Sequence, residues 1–206
     1  MKTYCKLGLG VALALIVSGC ERTGERNRSA VEIVSVAENG VFLAGMVDAG
    51  ADRDPCAPQD NSIPAGHIPI TLHNRPYNEF NTANEQSPYG IFHVTEITVE
   101  WVTAFASTPA DAQAAFNALV PFNFVSPYDV GVPIGETVTF NALIVPLHLK
   151  SSAFFQDLLP VCIGGNAAPP FSATAMVTLA GHDSGSEEIV YVQGSVIVEF
   201  VGALID

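Results

Sequence analysis

Thr174-Ala175-Met176-Val177-Thr178-Leu179 places Ala175, Val177 and Leu179 on one side of an extended chain and Thr174, Met176 and Thr178 on the other. Successive side chains of a strand point to opposite faces, so this period of two predicts a half-buried β-strand with one wet face. The same pattern recurs twice. Ile97, Val99 and Trp101 alternate with Thr98 and Glu100, and Val138, Phe140 and Ala142 alternate with Thr137, Thr139 and Asn141. Further strands are expected over 31–37, 41–46, 68–72, 188–192 and 195–201, with a hairpin turn at His182-Asp183-Ser184-Gly185-Ser186 between two of them. Seven to nine strands in one chain of this length predict an all-β fold, a two-sheet antiparallel β-sandwich of the immunoglobulin-like kind.

Composition agrees with that reading. The 206 residues are 49% apolar and 14% charged, with 17 Gly, 14 Pro and 12 Phe, which suits strands and turns and excludes a disordered chain. One or two short helices are expected beside the sheets. Thr108-Pro109-Ala110-Asp111 supplies a cap, a first-turn proline and an acid before an Ala-rich run to Leu119. Ser152 to Leu159 is the second candidate. Residues 47–69 and 74–90 are rich in Asn, Asp, Pro and Gly and are expected as long loops.

Charge excludes one class of partner. Eight Lys and Arg stand against 21 Asp and Glu, for a formal charge of −13, and the cations beyond residue 31 are Arg53, Arg75 and Lys150. Such a chain has no electrostatic footprint for nucleic acid. Catalytic signatures are absent too: there is no GxSxG, HExxH, P-loop or GxGxxG motif. Asp183-Ser184-Gly185 superficially resembles the nucleophile segment of trypsin-like serine proteases, but His182 replaces its Gly and no Ala-His-Cys segment lies upstream. A turn built of Asp, Ser and Gly needs no catalytic explanation, so no enzyme is expected.

Asp48, Asp52, Asp54 and Asp60 are the densest set of oxygen ligands and mark the place where calcium would bind, although the EF-hand pattern is not met and no cofactor is required. Tyr77, Tyr89 and Tyr128, with Phe80, Phe122 and Phe124, fall near Pro, Asn or Ser and are candidate stacking platforms for a glycan. Cys56 and Cys162 lie in Gly- and Pro-containing segments and are expected to pair as a disulfide outside the cytoplasm.

The N-terminus states the compartment. Lys2 and Lys6 flank a short positive head, Leu7 to Val17 is apolar, and Val17-Ser18-Gly19-Cys20 closes the segment. The run is too short to span a bilayer and its small residues suit a peptidase. These four residues resemble the lipobox of bacterial lipoproteins. The resemblance implies that residues 1–19 are a signal peptide, that Cys20 carries the acyl chains (palmitate among them), and that Glu21 directs the protein to the outer membrane or cell surface. Residues 20–30 then form a polar tether and 31–206 a single sandwich domain. Two functions of different class follow. One is a non-catalytic interaction or structural module of the cell envelope, held on the lipid bilayer and docking an envelope or extracellular protein. The other is loop-based binding of glycan or calcium.

Overall fold

The computed structural model describes residues 29–48, 65–76, 90–153, 155, 162–163, 166–167, 171–184 and 186–204. The described residues form ten strands: β1 (Ser29–Val36), β2 (Val41–Asp48), β3 (Gly66–Pro76), β4 (Ile91–Phe105), β5 (Phe124–Pro133), β6 (Thr137–Val145), β7 (Cys162–Ile163), β8 (Asn166–Ala167), β9 (Phe171–Asp183) and β10 (Val190–Leu204). They form a three-stranded sheet, β1-β3-β6, a five-stranded sheet, β2-β10-β9-β4-β5, and the small β7-β8 pair.

The two larger sheets share one core. Ile68, Ile70 and Leu72 of β3, with Ala142 and Ile144 of β6, are buried with Ile97, Val99 and Trp101 of β4, Ala175, Val177 and Leu179 of β9, and Val196 and Val198 of β10. Alternation therefore placed the inward faces of β4 and β9 correctly. The strands run between two ends. Ser29, Pro76, Ile91, Pro133, Thr137, Asp183 and Val190 mark the entry end. Asp48, Gly66, Phe105, Phe124, Val145, Phe171 and Leu204 mark the far end. The eleven residues of β3 separate them by roughly 35 Å at about 3.3 Å per residue.

Four expectations need correction. The sheets are not wholly antiparallel, because β2 pairs with β10 in parallel. The chain leaves β1 at Ala37, whose N–H donates to Pro69 O, crosses to the other sheet through Ala37–Gly40, and continues in the same direction as β2. Ala37 holds φ 57° and Gly40 φ 69° to make that step. Left-handed backbone is routine for glycine and strained for alanine.

Secondly, 188–192 and 195–201 are one strand, β10. Gly194 does not break it. A Cβ there would lie 2.7 Å from Val36 Cγ2, so the glycine lets β1 cross close over the strand. Thirdly, β5 is a strand that alternation did not predict. Its Pro127 and Pro133 are tolerated because β5 is an edge strand. Finally, a short helix that was not expected, α2 (Leu147–Lys150), lies just before the 152–159 segment, in which Ala153 and Phe155 are helical as expected and most of the rest lies outside the described residues.

The first helix, α1 (Pro109–Leu119), forms as the sequence predicts. Thr108 caps it, its Oγ1 accepting from Asp111 N at 3.2 Å. Ala115 and Leu119 are its buried residues, and it packs against β4. A 3-10 turn (Val120–Phe122) follows. Asn123 Oδ1 then accepts from Trp101 N at 2.9 Å, docking the connection onto β4.

Candidate functional site

At the entry end the strands are joined by hydrogen bonds. Asn74 is fully buried, and its Nδ2 donates to Val132 O at 2.8 Å. Its N–H donates to Glu136 O, and its carbonyl accepts from Gly135 N. Gly135, at φ 80°, turns β5 into β6. The β9–β10 hairpin closes on β4: Ser184 N donates to Ile91 O at 2.8 Å, and Ser184 Oγ lies 2.9 Å from His93 Nε2. His93 and His182 are cross-strand partners with ring centroids 6.2 Å apart. Gly181 is obligatory in that corner, since a Cβ there would lie 2.3 Å from His93 O.

This Ser–His contact joins two residues 91 positions apart. The contact clasps the β9–β10 hairpin onto β4. The Ser184 N–H, which an oxyanion hole would need free, is spent on Ile91 O, and Ser184 Oγ also reaches Ile91 O at 3.3 Å.

The far end is packed by rings instead. Phe171 stacks on Phe200 at 4.8 Å, Phe155 lies 5.0 Å from Phe200, and Trp101 lies 5.8 Å from it. Lys150 is also buried there, and desolvation pushes its ammonium pKa down to about 8. The Trp101 Nε1 is buried and has no hydrogen-bond partner among the described residues.

Outside this packing, the wet face of the five-stranded sheet is not uniformly polar. Register places Val41, Ile197, Thr174 and Thr103 in one row across β2, β10, β9 and β4, and Leu43, Glu199, Ser172 and Phe105 in the next. Val41, Leu43, Ile197 and Phe105 are exposed, Leu43 by 51% and Phe105 by 57%. Val102 and Leu147 are exposed towards the same far end, and Val125 is exposed beside the middle of β4. The 3-10 turn and α2 meet there through Phe122 and His148, whose rings are 5.4 Å apart. At the entry end the exposed residues include Glu136, Glu187 and Glu188, alongside Ile189 and Tyr191. The apolar face was missed from sequence. Its signal was Val41-Phe42-Leu43-Ala44, a run apolar on both sides of a strand that has only one face in the core.

Of the residues singled out from sequence, Cys20, Cys56, Asp52, Asp54, Asp60, Tyr77 and Tyr89 lie outside the described residues. Asp48 ends β2 and Cys162 opens β7. Tyr128 is on β5 and not in a loop. Its hydroxyl donates to Asn141 O of β6, its ring packs 5.4 Å from Phe140, and burial pushes its phenol pKa up. It thus ties the edge of one sheet to the edge of the other. Phe122 lies in the 3-10 turn, and Phe124 packs against the core.

The two loops expected to bind ligand together start from opposite ends. Residues 49–64 connect Asp48 to the far end of β3, whereas 77–89 connect Pro76 to Ile91 at the entry end. Among the described residues there is no cluster of three or more His, Cys, Asp or Glu side chains able to hold a metal ion, and no helix long and apolar enough to cross a membrane. The chain matches no known protein family and none of the curated proteins.

Proposed function

We propose that this chain is a lipid-anchored, extracytoplasmic lipoprotein whose sandwich serves as a non-catalytic docking module of the cell envelope, in the outer membrane or at the cell surface. The observation that carries the reading is the separation of its surfaces. Ser29, the first described residue, follows Cys20 by eight intervening residues. An acylated Cys20 therefore holds the entry end within about 30 Å of the bilayer, at no more than ~3.6 Å per residue. Two or more acyl chains make such an anchor stable. The hydrogen-bonded end then faces the head groups, while Leu43, Phe105 and Leu147 are exposed towards the far end and Ile189 and Tyr191 at the entry end. Exposed apolar patches mark interaction surfaces.

In this reading the domain is of the immunoglobulin-like class. The order β2-β10-β9-β4-β5 corresponds to strands G, F, C and C′ with the leading strand added beside G, and β1-β3-β6 to A, B and E. Trp101 sits on the strand that corresponds to C, where such domains bury a tryptophan. The inter-sheet disulfide of antibody domains has no counterpart, as β3 and β9 contain no Cys. Cys56 and Cys162 instead belong to connections at the far end, and we assign their pairing there, outside the cytoplasm.

Crosslinking of the native protein in its own membranes, with mass spectrometry and Cys20→Ala as the unanchored control, tests the function. One partner recovered in fixed ratio and lost in the control is the expected result. Recovery of lipid alone overturns it, and moves attention to calcium at Asp48, Asp52, Asp54 and Asp60, or to a glycan at Tyr77 and Tyr89.

A further inference from the structure

The four edges of the two main sheets are not equally protected. An edge strand exposes unpaired N–H and C=O groups that template further pairing, and natural edges are blunted by bulges, prolines, charges or cover. On β1 the register shifts between Ile33 and Ser35, leaving Val34 as an exposed bulge, and Glu32 pairs with Arg75 at 3.2 Å. β5 carries Pro127 and Pro133. The free side of β6 is covered where Tyr128 donates to Asn141 O. Among the described residues β2 has none of these devices. Its residues 41–47 contain no proline and no charge, its ladder with β10 runs without a register shift, and among the described residues β10 is its only strand partner.

The polarity of that ladder shows which groups are free. Ile197 N donates to Gly40 O at 2.9 Å and Ile197 registers with Val41. In a parallel ladder Ile197 therefore bonds to the residues on either side of Val41, and the backbone groups of Val41, Leu43 and Gly45 face away from β10. Three successive outward residues are enough to seat a short strand. Beside them stand the exposed side chains of Val41, Leu43 and Ile197.

We infer that β2 is a strand-addition edge whose occupant is a basic, extended segment of a partner protein. This deepens the docking function proposed above and rests on it. Charge selects the occupant. Glu38 is exposed at the turn into β2, Glu199 registers with Leu43, and Asp48 ends the strand. Among the described residues, Arg75 is engaged with Glu32 on the other sheet and Lys150 is buried at the far end. A second copy would bring the same acids against this edge, on chains of formal charge −13, and like charges placed opposite each other oppose pairing. An added strand with Val or Thr beside Val41 and Leu43, and Lys or Arg towards Glu38 and Glu199, satisfies both the ladder and the field.

The probe is a synthetic ten-residue peptide of alternating Val and Lys, titrated onto the full chain in detergent and followed by amide hydrogen exchange. Saturable binding that slows exchange of the Leu43 amide at least tenfold is expected, with no slowing by the same peptide bearing Glu for Lys. Leu43→Pro removes a free-edge donor and no β10 bond, so it should abolish the slowing at β2 while the Ile197 amide stays protected. If Ile197 loses protection in that variant, Leu43→Lys, which leaves the backbone intact and adds a charge to the edge, replaces it and should weaken binding at least tenfold. Absence of slowing, equal slowing by both peptides, or undiminished binding by the readable variant overturns the inference. Repeating the membrane crosslinking with Leu43→Pro or Leu43→Lys separates the two proposals. A partner retained by the variant sinks the edge assignment and leaves the docking function standing; a partner absent even from the unmodified protein sinks the docking function.

Discussion

The two ends of this two-sheet fold are held together by different physics. At the far end Trp101, Phe155, Phe171 and Phe200 fill the space between the strands with rings. At the entry end the strands close through directional bonds: Asn74 to Val132 and Glu136, and Ser184 to Ile91 and His93. Ring packing is non-directional and strong per residue, whereas each hydrogen bond returns little net stability because water offers the same bond to the unfolded chain. An end packed by rings can leave apolar side chains exposed around it without losing its shape. An end closed by polar contacts can sit beside water and charged head groups.

The contrast can be broken by measurement. Phe200→Ala should be the most damaging change, costing about 3 to 5 kcal/mol in urea unfolding because it removes a buried ring shared by three aromatic neighbours. A loss near 1 kcal/mol would show that the far-end cluster is loosely packed.

Lys150 sharpens the comparison through pH. Its pKa is lowered to about 8 in the fold against about 10.4 when unfolded, so between those values the unfolded chain binds more protons and stability rises with pH. Below about pH 8 the ammonium is charged in both states, so the whole burial penalty, on the order of 3 kcal/mol, is present; it is gone above the unfolded value. Lys150→Met should flatten the rise between pH 8 and 10 in thermal melts. An unchanged slope would mean that Lys150 is solvated in solution.

Ser184→Ala, at the entry end, should cost only about 1 kcal/mol and leave the β9–β10 hairpin formed by amide exchange. A loss as large as that of Phe200→Ala would erase the distinction between the ends.

Much of the fold was legible locally. Thr174 to Leu179 and Ile97 to Trp101 displayed their buried faces in their alternation, and Thr108-Pro109 displayed the start of α1. Other residues misled because their meaning depends on a neighbour distant in sequence. Gly194 looks like a break until β1 is laid across it. Pro127 and Pro133 look like loop until β5 is placed at an edge. Val41 to Val47 could be read as a strand, but the sequence did not say that its second apolar side would meet solvent. His93 and Ser184 carried no shared signal at all.

The sequence by itself determined the acidic balance, the all-β class and the inward faces of the main strands. Each of these is written in composition or in residues a few positions apart, within reach of the two-residue period of an extended chain. Tertiary structure alone decided the parallel β2–β10 pair, the crossing at Ala37, the tie between Tyr128 and Asn141, and the contrast between a hydrogen-bonded entry end and a ring-packed far end. Pairing between strands is made by backbone groups that every residue carries, so the order of strands leaves almost no local trace. It is settled only when the whole chain buries its apolar faces together.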